Sequence, residues 1–244
     1  MLLLIAAVFG IAGFVKGVIG LGLPTVSMGL LAVAMTPLQA LTVVIVPAVV
    51  TNLWQTFAGP YLRGIVRRLW PLLLGTALAI AGSGPLMAGA YAPYAAIVLG
   101  LLLVVYAALG LTRLQFRTAP RNEKWVGAVV GLLTGVIAAA TGVQVIPSMP
   151  FLQSIGMEKD ELIQALGVFF TVATVAQAFN LTSAGLLTAA TALPGLVAMG
   201  AAFAGMFAGQ AVRQRMQPEQ FRRWFLVAML VLGVYLSGST IASL

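Results

Sequence analysis

Of the 244 residues, 61% are hydrophobic and 7% charged, and the mean hydropathy is +1.07, a balance that excludes a water-soluble domain. The net charge of +8 does not point to nucleic acid, because the basic residues fall in short segments between apolar spans rather than along one soluble face. With no Cys and no His the chain has no thiolate or imidazole for a zinc site, a haem or an activated nucleophile, so no catalytic residue, metal or cofactor is expected.

In chain order the opening Met1-Leu-Leu-Leu-Ile5 lacks the positive flank of a secretory signal and reads as mature helix. Leu2 to Ile19 leads into a glycine-containing break and a short piece, Pro24 to Met35. Leu38 to Phe57, Leu69 to Gly89 and Ala92 to Thr112 are then each long enough to cross the bilayer, which takes about 20 residues. The pattern returns: Trp125 to Ala140, a second break, the short Pro147 to Gly156, then Asp160 to Leu181, Leu186 to Ala211 and Trp224 to Leu244. Each short piece is too brief to cross alone at about 1.5 Å per residue.

The return is visible in the letters. Gly13-Phe-Val-Lys-Gly17-Val18-Ile19 matches Gly131-Leu-Leu-Thr-Gly135-Val136-Ile137 at a shift of 118, which pairs Lys16 with Thr134. Met35, Val50, Gln55 and Phe57 match Met157, Val172, Gln177 and Phe179 at 122, and Pro71, Ala79, Ala81 and Gly82 match Pro194, Ala202, Ala204 and Gly205 at 123. Chance similarity among Gly/Ala/Val-rich helices is the competing explanation. A duplicated apolar unit with interrupted helices at matching places is the sequence pointer to a transporter that binds its substrate between repeats.

Placing the Arg63, Arg67 and Arg68 loop in the cytoplasm also places Arg113, Arg117, Arg121, Lys124, Lys159, Arg213, Arg215, Arg222 and Arg223 there. That is every basic residue but Lys16, as the positive-inside rule requires. Both termini are then external, and the two halves have opposite orientations. The expected fold is an all-α polytopic membrane protein of two inverted five-element repeats, each opening with a broken or re-entrant helix pair. Its units are residues 1–112, a cytoplasmic linker 113–124, and 125–244.

The expected site follows from the breaks. Gly17-Val-Ile-Gly20-Leu-Gly22-Leu-Pro24-Thr25 and Thr141-Gly142-Val-Gln144-Val-Ile-Pro147-Ser148 supply glycines for a turn and a proline for the first turn of the next helix. In the inverted arrangement both short helices begin inside the protein, so their electropositive N-termini are expected to converge on an anion. A nucleotide loop is excluded by the missing Gly-Lys-Ser/Thr. Candidate binding residues are Lys16, Gly20, Gly22, Thr25, Asn52, Gln55, Gly142, Gln144, Ser148 and Gln177. Two readings of Lys16 stay open: a cation facing an internal anion, or a long stem snorkelling to headgroups. Asn52, Gln55, Thr171, Thr174 and Gln177 either line the path or glue helices together. Gly10, Gly13 and Gly17, with Gly131/Gly135 and Gly205/Gly209, signify close helix packing.

Glu123, Glu158, Asp160, Glu161 and Glu219 all lie in or beside loops, leaving the interior without the carboxylate that a proton- or sodium-coupled carrier usually keeps. Moving one negative charge out of a cell at about −100 mV gains about 2.3 kcal/mol, which favours export or passive anion movement over uptake.

Lys16-Gly-Val-Ile-Gly20-Leu-Gly-Leu-Pro24 and Thr141-Gly142-Val-Gln-Val-Ile-Pro147, within two similar halves, make the chain resemble the sulfite exporter family of TauE/SafE type, also called TSUP. The second break departs from the family's glycine run, retaining Gly142 with Gln144 close by. The resemblance implies a secondary transporter that exports small sulfur anions (sulfite, thiosulfate or organosulfonates) across the bacterial cytoplasmic membrane. A channel or a non-catalytic assembly subunit is the alternative. The expected partners are the anion and the lipid bilayer; oligomeric state is not readable.

Overall fold

The computed structural model describes residues 1–84, 94–112, 117–187, 191–213 and 218–241. Among these residues ten α-helices follow one another: α1 Leu2–Ile19, α2 Leu23–Leu31, α3 Pro37–Phe57, α4 Leu62–Ser83, α5 Ala95–Leu111, α6 Glu123–Thr141, α7 Ser148–Ser154, α8 Lys159–Ser183, α9 Ala192–Arg213 and α10 Pro218–Ile241. Among the described residues there is no strand, and seven helices are long and apolar enough to cross a membrane, α5 being shorter. The protein is a multi-pass membrane protein: in hydrocarbon every backbone polar group must be paired within the protein, and helices do this segment by segment.

Local chemistry sets the boundaries. α1 ends at Gly20, whose left-handed backbone (φ 81°) turns its N–H back to the Lys16 carbonyl. α6 ends the same way at Gly142 (φ 71°), bonded to the Ala138 carbonyl. α3 starts with a reciprocal cap between Thr36 and Gln39, with Pro37 in the first turn. Gly156, at φ 69°, follows the end of α7.

Several expected bounds shift. The short pieces are Leu23–Leu31 and Ser148–Ser154 rather than Pro24 to Met35 and Pro147 to Gly156, because the Met35 and Ala34 N–H groups fold back onto the Leu31 carbonyl. Arg63, Arg67 and Arg68 lie in the first turns of α4, and Arg222 and Arg223 within α10, not in loops. Continuing the helix keeps backbone groups paired at the interface while long stems carry the charge outward. Arg113, Arg215 and the stretches 85–89, 92–93, 188–190 and 242–244 of the expected spans lie outside the described residues.

Packing is dominated by α1 on α9, α4 on α6, α5 on α10 and α3 on α8, with α4 also meeting α8 and α3 meeting α9. Missing side chains permit the closest approaches. A Cβ on Gly13 would fall on the Ala202 carbonyl, one on Gly205 on the Gly10 carbonyl, and one on Gly131 on the Leu72 carbonyl. Small residues bring backbones together in this way where lipid removes the hydrophobic drive between helices.

The basic helix ends gather on one face. Arg68 at the start of α4 makes a two-pronged pair with Glu123 at the start of α6 (2.9 and 2.7 Å) and also donates to the Ile155 carbonyl. Gln164, near the start of α8, donates to the Thr56 and Gly59 carbonyls at the end of α3 and accepts from the Tyr61 N–H. Three of the polar groups that helix termini leave open are thus satisfied by one side chain.

Candidate anion site

Lys16 sits one turn before the first break and is 3% exposed. Its ammonium crosses from α1 to α3, donating to Thr51 Oγ1 at 3.3 Å and to Asn52 Oδ1. The snorkelling reading is thereby overturned: the stem ends in the protein interior, not at the headgroups. Among the described residues the one ion pair is Arg68–Glu123, so the buried ammonium is held by neutral oxygens alone. Thr51 Oγ1 itself donates to the Pro47 carbonyl at 2.7 Å, which turns a lone pair toward Lys16. Asn52 is fully buried, and its amide nitrogen has no partner.

One turn further along α3, Gln55 Nε2 donates to the Gly20 carbonyl at 2.9 Å and to the Ile163 carbonyl of α8 at 2.7 Å. Lys16, Gly20, Asn52 and Gln55 therefore form one connected polar group. Gly22 and Thr25 open α2 beside it and are buried. A Cβ on Gly22 would approach Val15 at 3.3 Å and Phe225 at 3.7 Å, an apolar surrounding.

The second break does not join this group. A Cβ on Gly142 would lie 3.1 Å from both Leu41 and Met28, near the beginning of α3, whereas Gly20 lies against its end. Leu41 and Gln55 stand fourteen residues apart on α3, about 20 Å at roughly 1.5 Å per residue. The two breaks thus meet opposite ends of α3, and the Leu41 side chain of α3 and the Met28 side chain of α2 cover the second. Ser148 spends its hydroxyl proton on the Gln144 carbonyl (2.6 Å), and α7, at seven residues, is a short helix with little dipole to offer. Gln144 and Gln177 are buried, each with an unpartnered side-chain oxygen.

The caps offer a second alignment of the two halves. Counted from Gly20 and Gly142, Lys16 stands where α6 has Ala138 rather than Thr134, a separation of 122 instead of 118. Gly-rich helices match almost as well one turn out, and only the cap fixes the choice. At that separation Thr51 and Asn52 correspond to Ala173 and Thr174, and Ala138 and Ala173 pack with Ile80 in a small apolar cluster. The cation thus has no counterpart in the second half.

Of the remaining polar candidates, Thr171 bonds Thr56 across α3 and α8 at 2.9 Å and Thr174 bonds its own Phe170 carbonyl at 2.6 Å, so these two act as glue and back-bond. Thr51 and Gln164 were missed. The signal for Thr51 was a hydroxyl beside Asn52 deep in an apolar span; Gln164 offered none, because its partners lie over a hundred residues away.

A family model described as Sulfite exporter TauE/SafE matches residues 4–236. The chain belongs to this family. Neither a curated protein nor a solved structure matches it. The family is one of membrane transporters, and as a TauE/SafE member with seven long apolar helices among its described residues the chain is a membrane anion exporter.

Proposed function

We propose that this TauE/SafE protein exports a small sulfur oxyanion or sulfonate (sulfite, thiosulfate or an organosulfonate) across the bacterial cytoplasmic membrane. The Lys16 ammonium and the free Asn52 amide N–H would hold the anion. The observation that supports this most is a buried ammonium with no carboxylate partner among the described residues, next to a buried donor with nothing to donate to. A desolvated charge is costly unless paired, and here the missing partner is negative. Gly20, Gly22, Thr25 and Gln55 border this site; Gly142, Gln144, Ser148 and Gln177 belong to the opposite half of the path.

Movement is read as alternating access between units 1–112 and 125–244, joined by a cytoplasmic linker 113–124 and oppositely oriented, with both termini outside. Support comes from pairing: α1 on α9 mirrors α6 on α4, α3 on α9 mirrors α8 on α4, and Gly20 against Ile163 mirrors Gly142 against Leu41. The basic face is assigned to the cytoplasm by the positive-inside rule. Outward movement of a negative charge gains about 2.3 kcal/mol per 100 mV, enough to drive export without a coupling ion.

Flux in proteoliposomes tests the proposal. Saturable sulfite or thiosulfate movement, competed by related anions and weakened by Lys16→Met and by Gln144→Ala, is expected. Unsaturable conductance would favour a channel, and no flux of any sulfur anion an assembly role.

A further inference from the structure

On the basic face, a cavity of about 290 Å³ is lined by Gln55, Gly59, Asp160, Gln164 and Arg213, among others. It joins the end of α3, the start of α8 and the end of α9. Its volume is at the small end for ligand pockets, suited to a hydrated ion rather than a drug-sized molecule. No ion pair joins Asp160 to Arg213, so the guanidinium keeps its charge for another anion. The cavity's inner wall is Gln55, the residue one turn from Asn52. Its carboxamide nitrogen holds the Gly20 carbonyl of the first break and the Ile163 carbonyl of α8 at once. Beyond it lies the Lys16 ammonium.

We infer that this cavity is a cytoplasmic antechamber for the transported anion, that Arg213 recruits the anion into it, and that the Gln55 side chain is the gate between the antechamber and Lys16. The identity of the anion rests on the proposed function; the antechamber and gate rest on the cavity and on the two hydrogen bonds of Gln55. An anion passing from the cavity to Lys16 must displace the Gln55 amide from both carbonyls. Those carbonyls belong to the first break and to α8, so opening frees the first break from the other half of the chain. Gln164, with its three backbone partners, holds the rest of the cavity wall in place while Gln55 swings. Asp160 and Arg213 give the cavity wall one charge of each sign, so recruitment rests on the local attraction of the Arg213 guanidinium for an anion.

The chain has no cysteine, so single introduced thiols report without background. The probes are an impermeant thiol reagent carrying a sulfonate and an uncharged one, applied to inverted vesicles that expose the basic face. Ala58→Cys, in the cavity wall, is expected to react quickly, and Thr51→Cys, beyond the gate, about tenfold more slowly. Adding Gln55→Ala, or Gln55→Met if the alanine variant does not fold, should accelerate Thr51→Cys about tenfold and leave Ala58→Cys unchanged. Arg213→Gln should slow the anionic reagent at Ala58→Cys about threefold at low salt and not the neutral one. Equal reaction of Thr51→Cys with and without Gln55 overturns the gate, and equal loss for both reagents in Arg213→Gln overturns recruitment. This labelling pattern without sulfur-anion flux retains the gate and overturns the substrate; flux without the pattern does the reverse.

Discussion

Asn52 gives its side-chain oxygen to the Lys16 ammonium and leaves its own amide nitrogen unpartnered in a fully buried position. The two residues together present an amine and a spare N–H with no carboxylate partner among the described residues, the feature on which the proposed anion site rests. Lys16→Met keeps the volume and removes the charge. It should weaken anion binding about 10- to 100-fold, the worth of a charge-assisted hydrogen bond. Its thermal stability should hold or rise, since the desolvation cost of the ammonium goes with it. Binding titration alongside a thermal melt checks both signs at once; a fall in stability with unchanged binding would assign Lys16 a purely structural role.

Asn52→Asp sets a fixed carboxylate beside the ammonium. If the proposed site holds the anion, the internal ion pair takes its place, so the variant should be at least as stable as the parent and should not transport. Competition binding with sulfite and thiosulfate reads the loss.

Gly10 and Gly205 face each other between α1 and α9 but tolerate side chains differently. A Cβ on Gly205 falls on the Gly10 carbonyl, whereas one on Gly10 meets nothing within 4 Å. Gly205→Ala should cost about 1–3 kcal/mol by forcing backbones apart, and Gly10→Ala should be neutral or slightly favourable. Melting of the two purified variants separates them.

Gly59→Ala places a methyl 2.5 Å from Gln164 Oε1. Oε1 must move off the Tyr61 N–H, at a cost of about 1–2 kcal/mol and a lower melting temperature. Gln164→Leu should lose a similar amount without any steric clash.

Arg68→Gln breaks the two-pronged bond to Glu123 and the bond to Ile155. Arg68 is one-third exposed, so solvent screens part of the charge and the expected loss is roughly 1–2 kcal/mol, partly recovered in Arg68→Lys. Thermal melts at low and high salt measure it.

Length and apolarity read from the letters placed the long helices, because a membrane helix needs only about 20 apolar residues and pairs its backbone internally. Gly20 and Gly142 marked the breaks for an equally local reason, since left-handed backbone favours glycine. Lys16 stood out because no other basic residue lies so deep in an apolar span. Those properties are written in short windows of sequence.

Only the tertiary structure decided what Lys16 touches, that Gln164 closes α3, that Lys16 and Ala138 stand at the same place before their glycine caps, and that the two breaks meet opposite ends of α3. Each depends on how far one helix slides past another. In glycine-rich helices the apolar pattern looks nearly the same one turn out of step, so the slide is fixed by caps and by backbone contacts between distant segments, and those have no periodicity of their own to read.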